Sequence, residues 1–215
     1  VLRFYILTIV GASLLTILSL KFDSSAFTWG ESIKTGIFHV VSAISTTGFA
    51  ISDNNTWPLF ACIIMVLISV PCGMAGSTSG GVKMDRIYMM FKTIGQQVKN
   101  TVHPSSINQV HLGSHILSNE EVYPHIVYIG LYFITVAISM TLVILSGMDV
   151  GNALASSISC VSNVGPALEN MGTLGNFNGT PVFAKIVFIV DMFLGRIEIY
   201  PALAVAMMAV SGKTR

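Results

Sequence analysis

Two short stretches decide the fold: Ser45-Thr46-Thr47-Gly48-Phe49-Ala50 and Ser162-Asn163-Val164-Gly165-Pro166-Ala167. Each closes an apolar, Ser/Gly-rich segment (Gly30–Ala50 and Val150–Ala167) that is too short to cross a bilayer and lies between longer apolar runs. Shifted by 117 positions, Ser42 falls on Ser159, Ser45 on Ser162, Gly48 on Gly165 and Ala50 on Ala167. A half-helix that enters a membrane and returns as extended backbone is tolerated only where protein or a water-filled cavity satisfies its carbonyls. Two such segments imply a pore.

The surroundings agree with a membrane setting. Apolar residues make up 53% of the chain and charged residues 10%, against roughly a quarter charged in a soluble domain. Four stretches have the length and polarity of spans: Val1–Leu20, Trp57–Pro71 with some continuation, Val122–Ser146 and Val182–Val210. A net charge of +1 provides no basic field for nucleic acid. Cys62, Cys72 and Cys160 lie in apolar segments without metal-ligand spacing and read as packing residues. The opening run lacks signal-peptide anatomy and reads as a retained span; its abrupt start suggests a piece of a longer protein.

The stretch Lys83–Glu121 carries Lys83, Arg86, Lys92 and Lys99, whereas the segments around Asp23, Asp53 and Glu169 hold few basic residues. The positive-inside rule makes it a cytoplasmic loop. Arg3, Lys213 and Arg215 then lie on the same side, and four crossings satisfy this. With even crossings the two halves run in the same sense, a parallel span–loop–span repeat rather than an inverted one. The fold class is therefore an all-α membrane protein of two repeats with re-entrant half-helices, residues 1–98 and 122–215, joined by a linker at 99–121.

A monovalent-cation filter replaces the ion's water shell with backbone carbonyls, which requires an extended backbone with inward oxygens. Gly48 and Gly165 permit that turn, because conformations open to glycine cost other residues about 1–2 kcal/mol. The helices before them would aim negative C-terminal ends at a cation. The plainer reading is a surface turn at each glycine.

Downstream, Met74-Ala75-Gly76-Ser77-Thr78-Ser79-Gly80-Gly81-Val82-Lys83 must break a helix. Val82 stands where a phosphate-binding loop needs lysine. The segment reads as a gate, its hydroxyls satisfying freed backbone groups, or as a helix-to-loop exit. The fourth apolar run contains Asp191, Gly195, Arg196, Glu198 and Pro201. A charge at bilayer depth costs at least about 2.5–3.5 kcal/mol and faces a cavity or a partner. The same shift lays Arg196 on Ser79, below the filter, where it would raise a barrier to cations and hydrogen-bond the break; an ion pair with Asp191 or Glu198 is the alternative. His103, His111 and His115 read as solvated loop histidines.

The motifs Ser45–Phe49, Ala75–Lys83, Ser162–Pro166 and Gly195-Arg196-Ile197-Glu198 resemble the Trk/Ktr/HKT superfamily of potassium transporters over nearly the whole chain. The resemblance implies four fused repeats around one pore, of which this chain holds the third and fourth. It therefore implies potassium uptake through a filter formed by Ser45, Thr46, Thr47, Gly48, Phe49, Ser162, Asn163, Val164, Gly165 and Pro166. Potassium would sit at Thr46, Thr47, Gly48, Asn163, Val164 and Gly165. Gating would fall to Gly76, Ser77, Thr78, Ser79, Gly80, Gly81, Lys83 and Arg196. Potassium is then substrate, with no cofactor in this chain. The implied partners are membrane lipid, the other half of the pore (missing repeats or a second copy), a homodimeric mate and a cytoplasmic nucleotide-binding regulatory subunit, at the cell (inner) membrane. A sodium or other monovalent cation permease is the alternative; serine in place of a filter glycine would favour it, and neither repeat has one. An intramembrane serine hydrolase using Ser77 or Ser79 would need a nearby base, and the spans offer only His39 and His125.

Overall fold

The computed structural model describes residues 1–23, 27–102, 110–112, 115–117, 119–166 and 176–211. The expectations for Ala167, Glu169, His103, Lys213 and Arg215, and for the side chains of His111 and His115, lie outside the described residues.

Helix α1 (Leu2–Phe22) is followed by α2 (Trp29–Ile44), which starts at a capping box: the Glu31 amide donates to Thr28 Oγ1 at 3.4 Å and the Thr28 amide to Glu31 Oε2 at 2.9 Å. The two helices approach closely at Gly36, where a Cβ would stand 2.7 Å from Ile17 Cγ1. Helix α3 (Leu59–Ile68) has ten residues and gives way to an irregular loop, 69–83, before α4 (Met84–Val102). A two-stranded antiparallel ribbon, β1 (Val110–Leu112) with β2 (His115–Leu117), leads to α5 (Asn119–Leu145). Helix α6 (Val150–Ser162) is capped by Asp149, which accepts from the Gly151 amide at 2.9 Å. Helices α7 (Val182–Ile197) and α8 (Ile199–Ser211) complete the chain. This is an all-α membrane transporter fold, and the ribbon is a minor departure in the connection.

Among the described residues, Leu2–Phe22 and Glu120–Leu145 are the helices long and apolar enough to cross a bilayer. The second and fourth expected spans are both broken. Trp57–Pro71 contributes only α3, because the glycine- and serine-rich loop follows at once. Val182–Val210 is split at Glu198, whose φ of +68° cannot continue a helix. Most of the described residues of the connection Lys83–Glu121 form α4. That helix is amphipathic in sequence: Met84 and Met89 are buried and Arg86 is drawn in onto Tyr128, while Phe91, Ile94 and Val98 are exposed, and average polarity hid its period.

The core interlocks the halves. Val40, Ile44 and Ile68 pack with Cys72, Met84 and Val164, so the first half closes on the end of α6's own turn. Val82 lies with Tyr128, Tyr132, Val161 and Ile199, which places the loop against α5, α6 and α8. Cys62, Cys72 and Cys160 are free and buried, in keeping with a packing role.

Candidate functional site

Helices α2 and α6 end in the same way. The Thr46 amide donates to Ala43 O at 3.0 Å and the Thr47 amide to Ser42 O at 2.9 Å; at the positions 117 residues later, the Asn163 amide donates to Cys160 O at 3.1 Å and the Val164 amide to Ser159 O at 3.0 Å. Thr46 and Asn163 are both left-handed, with φ of +54° and +56°. Gly48 and Gly165 follow at +73° and +110°. Each glycine amide then turns back to the equivalent serine, Gly48 to Ser42 O at 3.5 Å and Gly165 to Ser159 Oγ at 3.1 Å. The Ser42 hydroxyl donates to Phe49 O at 2.7 Å, fixing the outgoing stretch.

The two turns meet. A Cβ on Gly48 would collide with the Val164 carbonyl oxygen and approach Pro166 Cδ at 3.5 Å. Gly48 is thus required twice, by its φ and by its neighbour. Ser45, Thr47, Phe49 and Gly165 are exposed, on a face this chain leaves open. Beside the turns lies a small cavity of about 30 Å³ lined by Ser42, Ser159, His39 and Trp57 among others. His39 is committed to the backbone, Nδ1 standing 2.9 Å from Thr35 O and Nε2 accepting the Ile51 amide at 3.4 Å.

Beneath the turns lies the loop. Its hydroxyls hold its own backbone: the Gly73 amide donates to Ser79 Oγ at 3.1 Å and the Ser79 amide to Ser77 Oγ at 3.1 Å. Val82 and Val70 are joined by an amide–carbonyl bond of 3.0 Å, and Gly81, at φ +70°, packs on Val70 O and Cys72 Sγ. A Cβ on Gly80 would strike the Ser162 carbonyl, and one on Gly195 the Val161 carbonyl. Both glycines therefore let chain pass directly under the end of α6, and the Asn163 amide group secures the turn by donating to Met192 O at 3.1 Å.

Arg196 donates through Nη1 to Thr78 O at 2.6 Å, so it binds the broken segment. The alternative ion pairs do not form. Asp191 takes a hydrogen bond from Ser139, and Glu198 pairs with Lys83 and Arg86, each at 2.9 Å. Arg86 also stacks on Tyr128, 3.8 Å from the ring centroid. Sequence reasoning placed Lys83 and Arg86 as loop cations and overlooked this partnership.

Broken helices, two turns that close on their own backbone and a buried Asp191 are features of a membrane transport protein. The family model for TrkH, cation transport protein, matches residues 1–214, and the chain belongs to that family. It is 32% identical over 171 residues to the Trk system potassium uptake protein TrkH of Escherichia coli K12, covering 80% of this chain and 35% of that protein. The Trk system potassium uptake protein TrkI of Halomonas elongata is 32% identical over 190 residues, covering 88% and 38% respectively. The crystal structure of the potassium transporter TrkH from Vibrio parahaemolyticus superposes with a TM-score of 0.86 at 28% identity, covering 94% of this chain and 43% of that one. The chain thus spans about a third to two-fifths of the length of these relatives. The family is one of transporters, not enzymes, and the hydroxyls of Ser77 and Ser79 hold backbone amides rather than facing a base.

Gly195→Ala should therefore lower the yield of folded protein several-fold, because the added carbon meets backbone, which cannot rotate away as a side chain would. Fluorescence-detected gel filtration of the full-length protein measures this; Gly179→Ala, with open space around its Cβ position, should leave the yield unchanged.

Proposed function

We propose that this chain forms the third and fourth repeats of a potassium-uptake pore, residues 1–98 and 122–215 being the repeats and 99–121 a cytoplasmic linker. The observation that carries this reading is the pair of turns with the same hydrogen bonds 117 residues apart, meeting at Gly48 and the Val164 carbonyl. Backbone oxygens at Thr46, Thr47, Gly48, Asn163, Val164 and Gly165 take the place of a potassium ion's water shell, and α2 and α6 turn the negative ends of their dipoles toward it. Ser45, Phe49, Ser162 and Pro166 flank these positions. The relatives' additional length supplies the other two repeats, and the exposed face at Ser45, Thr47 and Gly165 is where they complete the filter.

The loop of Gly76, Ser77, Thr78, Ser79, Gly80, Gly81 and Lys83 is the gate beneath the filter. Its positive-φ glycines Gly76 and Gly81 allow it to change shape, and Ser77 and Ser79 satisfy backbone amides within it. Arg196 holds it through Thr78 O and places a fixed positive charge on the path, where a low dielectric strengthens repulsion of potassium. The protein is a multi-pass protein of the inner membrane with its termini and the 83–121 segment on the cytoplasmic side. It works as a homodimer with a cytoplasmic nucleotide-binding regulatory subunit, as the resemblance to the family implies.

Two substitutions in the full-length protein test the reading. Gly48→Ser should lower the potassium-to-sodium permeability ratio about tenfold, since it costs the carbonyl geometry on both counts named above; an unchanged ratio counts against a filter at this turn. Arg196→Ala should raise the maximal rubidium uptake per folded molecule by a few-fold. Uptake normalised to folded protein separates that barrier role from a purely structural one, which would reduce the amount of protein and leave the rate per molecule as it was.

A further inference from the structure

Glu198 stands in the break between α7 and α8, and nothing in its local sequence requires a carboxylate there. Its backbone is left-handed at φ +68°. Lys83, at the end of the loop, is left-handed too, at φ +67°. A positive φ costs a residue with a side chain free energy that glycine avoids, and such outliers persist where the surroundings over-determine them. These two strained residues are bonded to each other: Lys83 Nζ lies 2.9 Å from Glu198 Oε1. The other carboxylate oxygen takes Arg86 Nη2 at 2.9 Å, and Arg86 is in turn fixed by its stacking on Tyr128 of α5.

The contacts of Lys83 extend into the loop. Its ammonium group also donates to Ser77 O at 3.1 Å, one residue before the carbonyl that Arg196 holds. Asp85, in the first turn of α4, accepts from the Ala75 amide. Backbone groups of residues 75, 77 and 78 are thus gripped by three charged side chains, and the two cationic ones trace back to the same seven-residue span, Gly195–Pro201. Glu198 bridges Lys83 and Arg86, one carboxylate oxygen to each. All three side chains are largely withdrawn from solvent, at 13%, 15% and 31% exposure for Lys83, Arg86 and Glu198, so the bonds are only partly screened.

We infer that Glu198 is a positioning residue for the gate: a latch that keeps the 75–83 loop under the filter by clamping Lys83 and Arg86 to the α7–α8 break. This inference rests on the reading of the loop as a gate for its link to flux, though not for its claim about the loop's position. Release then requires α8 to swing about Glu198 or the two cations to let go, which couples the loop to the one helix that leaves the break toward the cytoplasmic side. Arg196 and Glu198 hold the same loop by different routes. The arginine holds a carbonyl of the loop directly; the glutamate acts through the loop's lysine.

The test uses the full-length transporter in liposomes with a reporter cysteine, Val82→Cys. Val82 is fully buried beside Lys83, and the native cysteines are buried as well. Glu198→Gln keeps the shape and removes the charge. It should raise the rate at which a membrane-impermeant thiol reagent modifies the reporter by about tenfold, the effect of losing one charge-assisted bond. Native Cys160 should stay unreactive, which distinguishes a released loop from a loosened protein. Should Glu198→Gln not accumulate, Lys83→Gln removes the same bond from the other side and is read in the same way. An unchanged rate overturns the latch, as does equal gain at Cys160. Rubidium uptake is measured on the same vesicles: faster labelling with faster uptake bears out latch and gate together, whereas faster labelling with unchanged uptake keeps the latch and removes the gate.

Discussion

Backbone that leaves a helix inside a membrane has no water to turn to, and every carbonyl it frees must find a donor, a cavity or an ion. Four such departures occur here: at the ends of α2 and α6, after α3, and between α7 and α8. The structure answers each one locally. At the two turns, amides close back onto Ser42 and Ser159, and the Ser42 hydroxyl holds Phe49 O.

The breaks below serve those turns. Because α3 stops after ten residues and α7 stops at Ile197, the loop and the arginine reach the space under the end of α6. Gly80 and Gly195 allow the approach, since each lies against a carbonyl of residues 161 and 162 with no room for a Cβ. The charged residues then tie the pieces together: Arg196 to Thr78, Lys83 to Ser77, and Glu198 to both Lys83 and Arg86. These bonds hold the exposed stretch 75–78, which lies between the buried anchors Cys72 and Val82.

Much of this could be read from the chain. Glycine and serine at matching offsets marked the turns, because only a left-handed or extended requirement explains Gly48 and Gly165 together. The clustered glycines and hydroxyls at 76–81 announced a break, since a helix tolerates them poorly in series. Other parts were hidden for physical reasons. Helix α4 looked like a polar loop because half its surface faces outward, and only its period, not its average, betrays it. The Lys83–Glu198 pair joins residues from different halves, and no local pattern reports a contact of that kind. For Arg196 the repeat offset put the side chain beside the break, where it bonds Thr78 O, and the alternative carboxylate pairing does not form.

The central claim is that the carbonyls of 46–48 and 163–165 hold a potassium-like ion. Rubidium scatters anomalously and substitutes for potassium, so diffraction from crystals of the full-length protein soaked in rubidium locates it directly. Anomalous density between these two turns, within about 3 Å of their backbone oxygens, is the predicted result. Density confined to other positions, with the space between Gly48 and Gly165 empty at saturating rubidium, would contradict it.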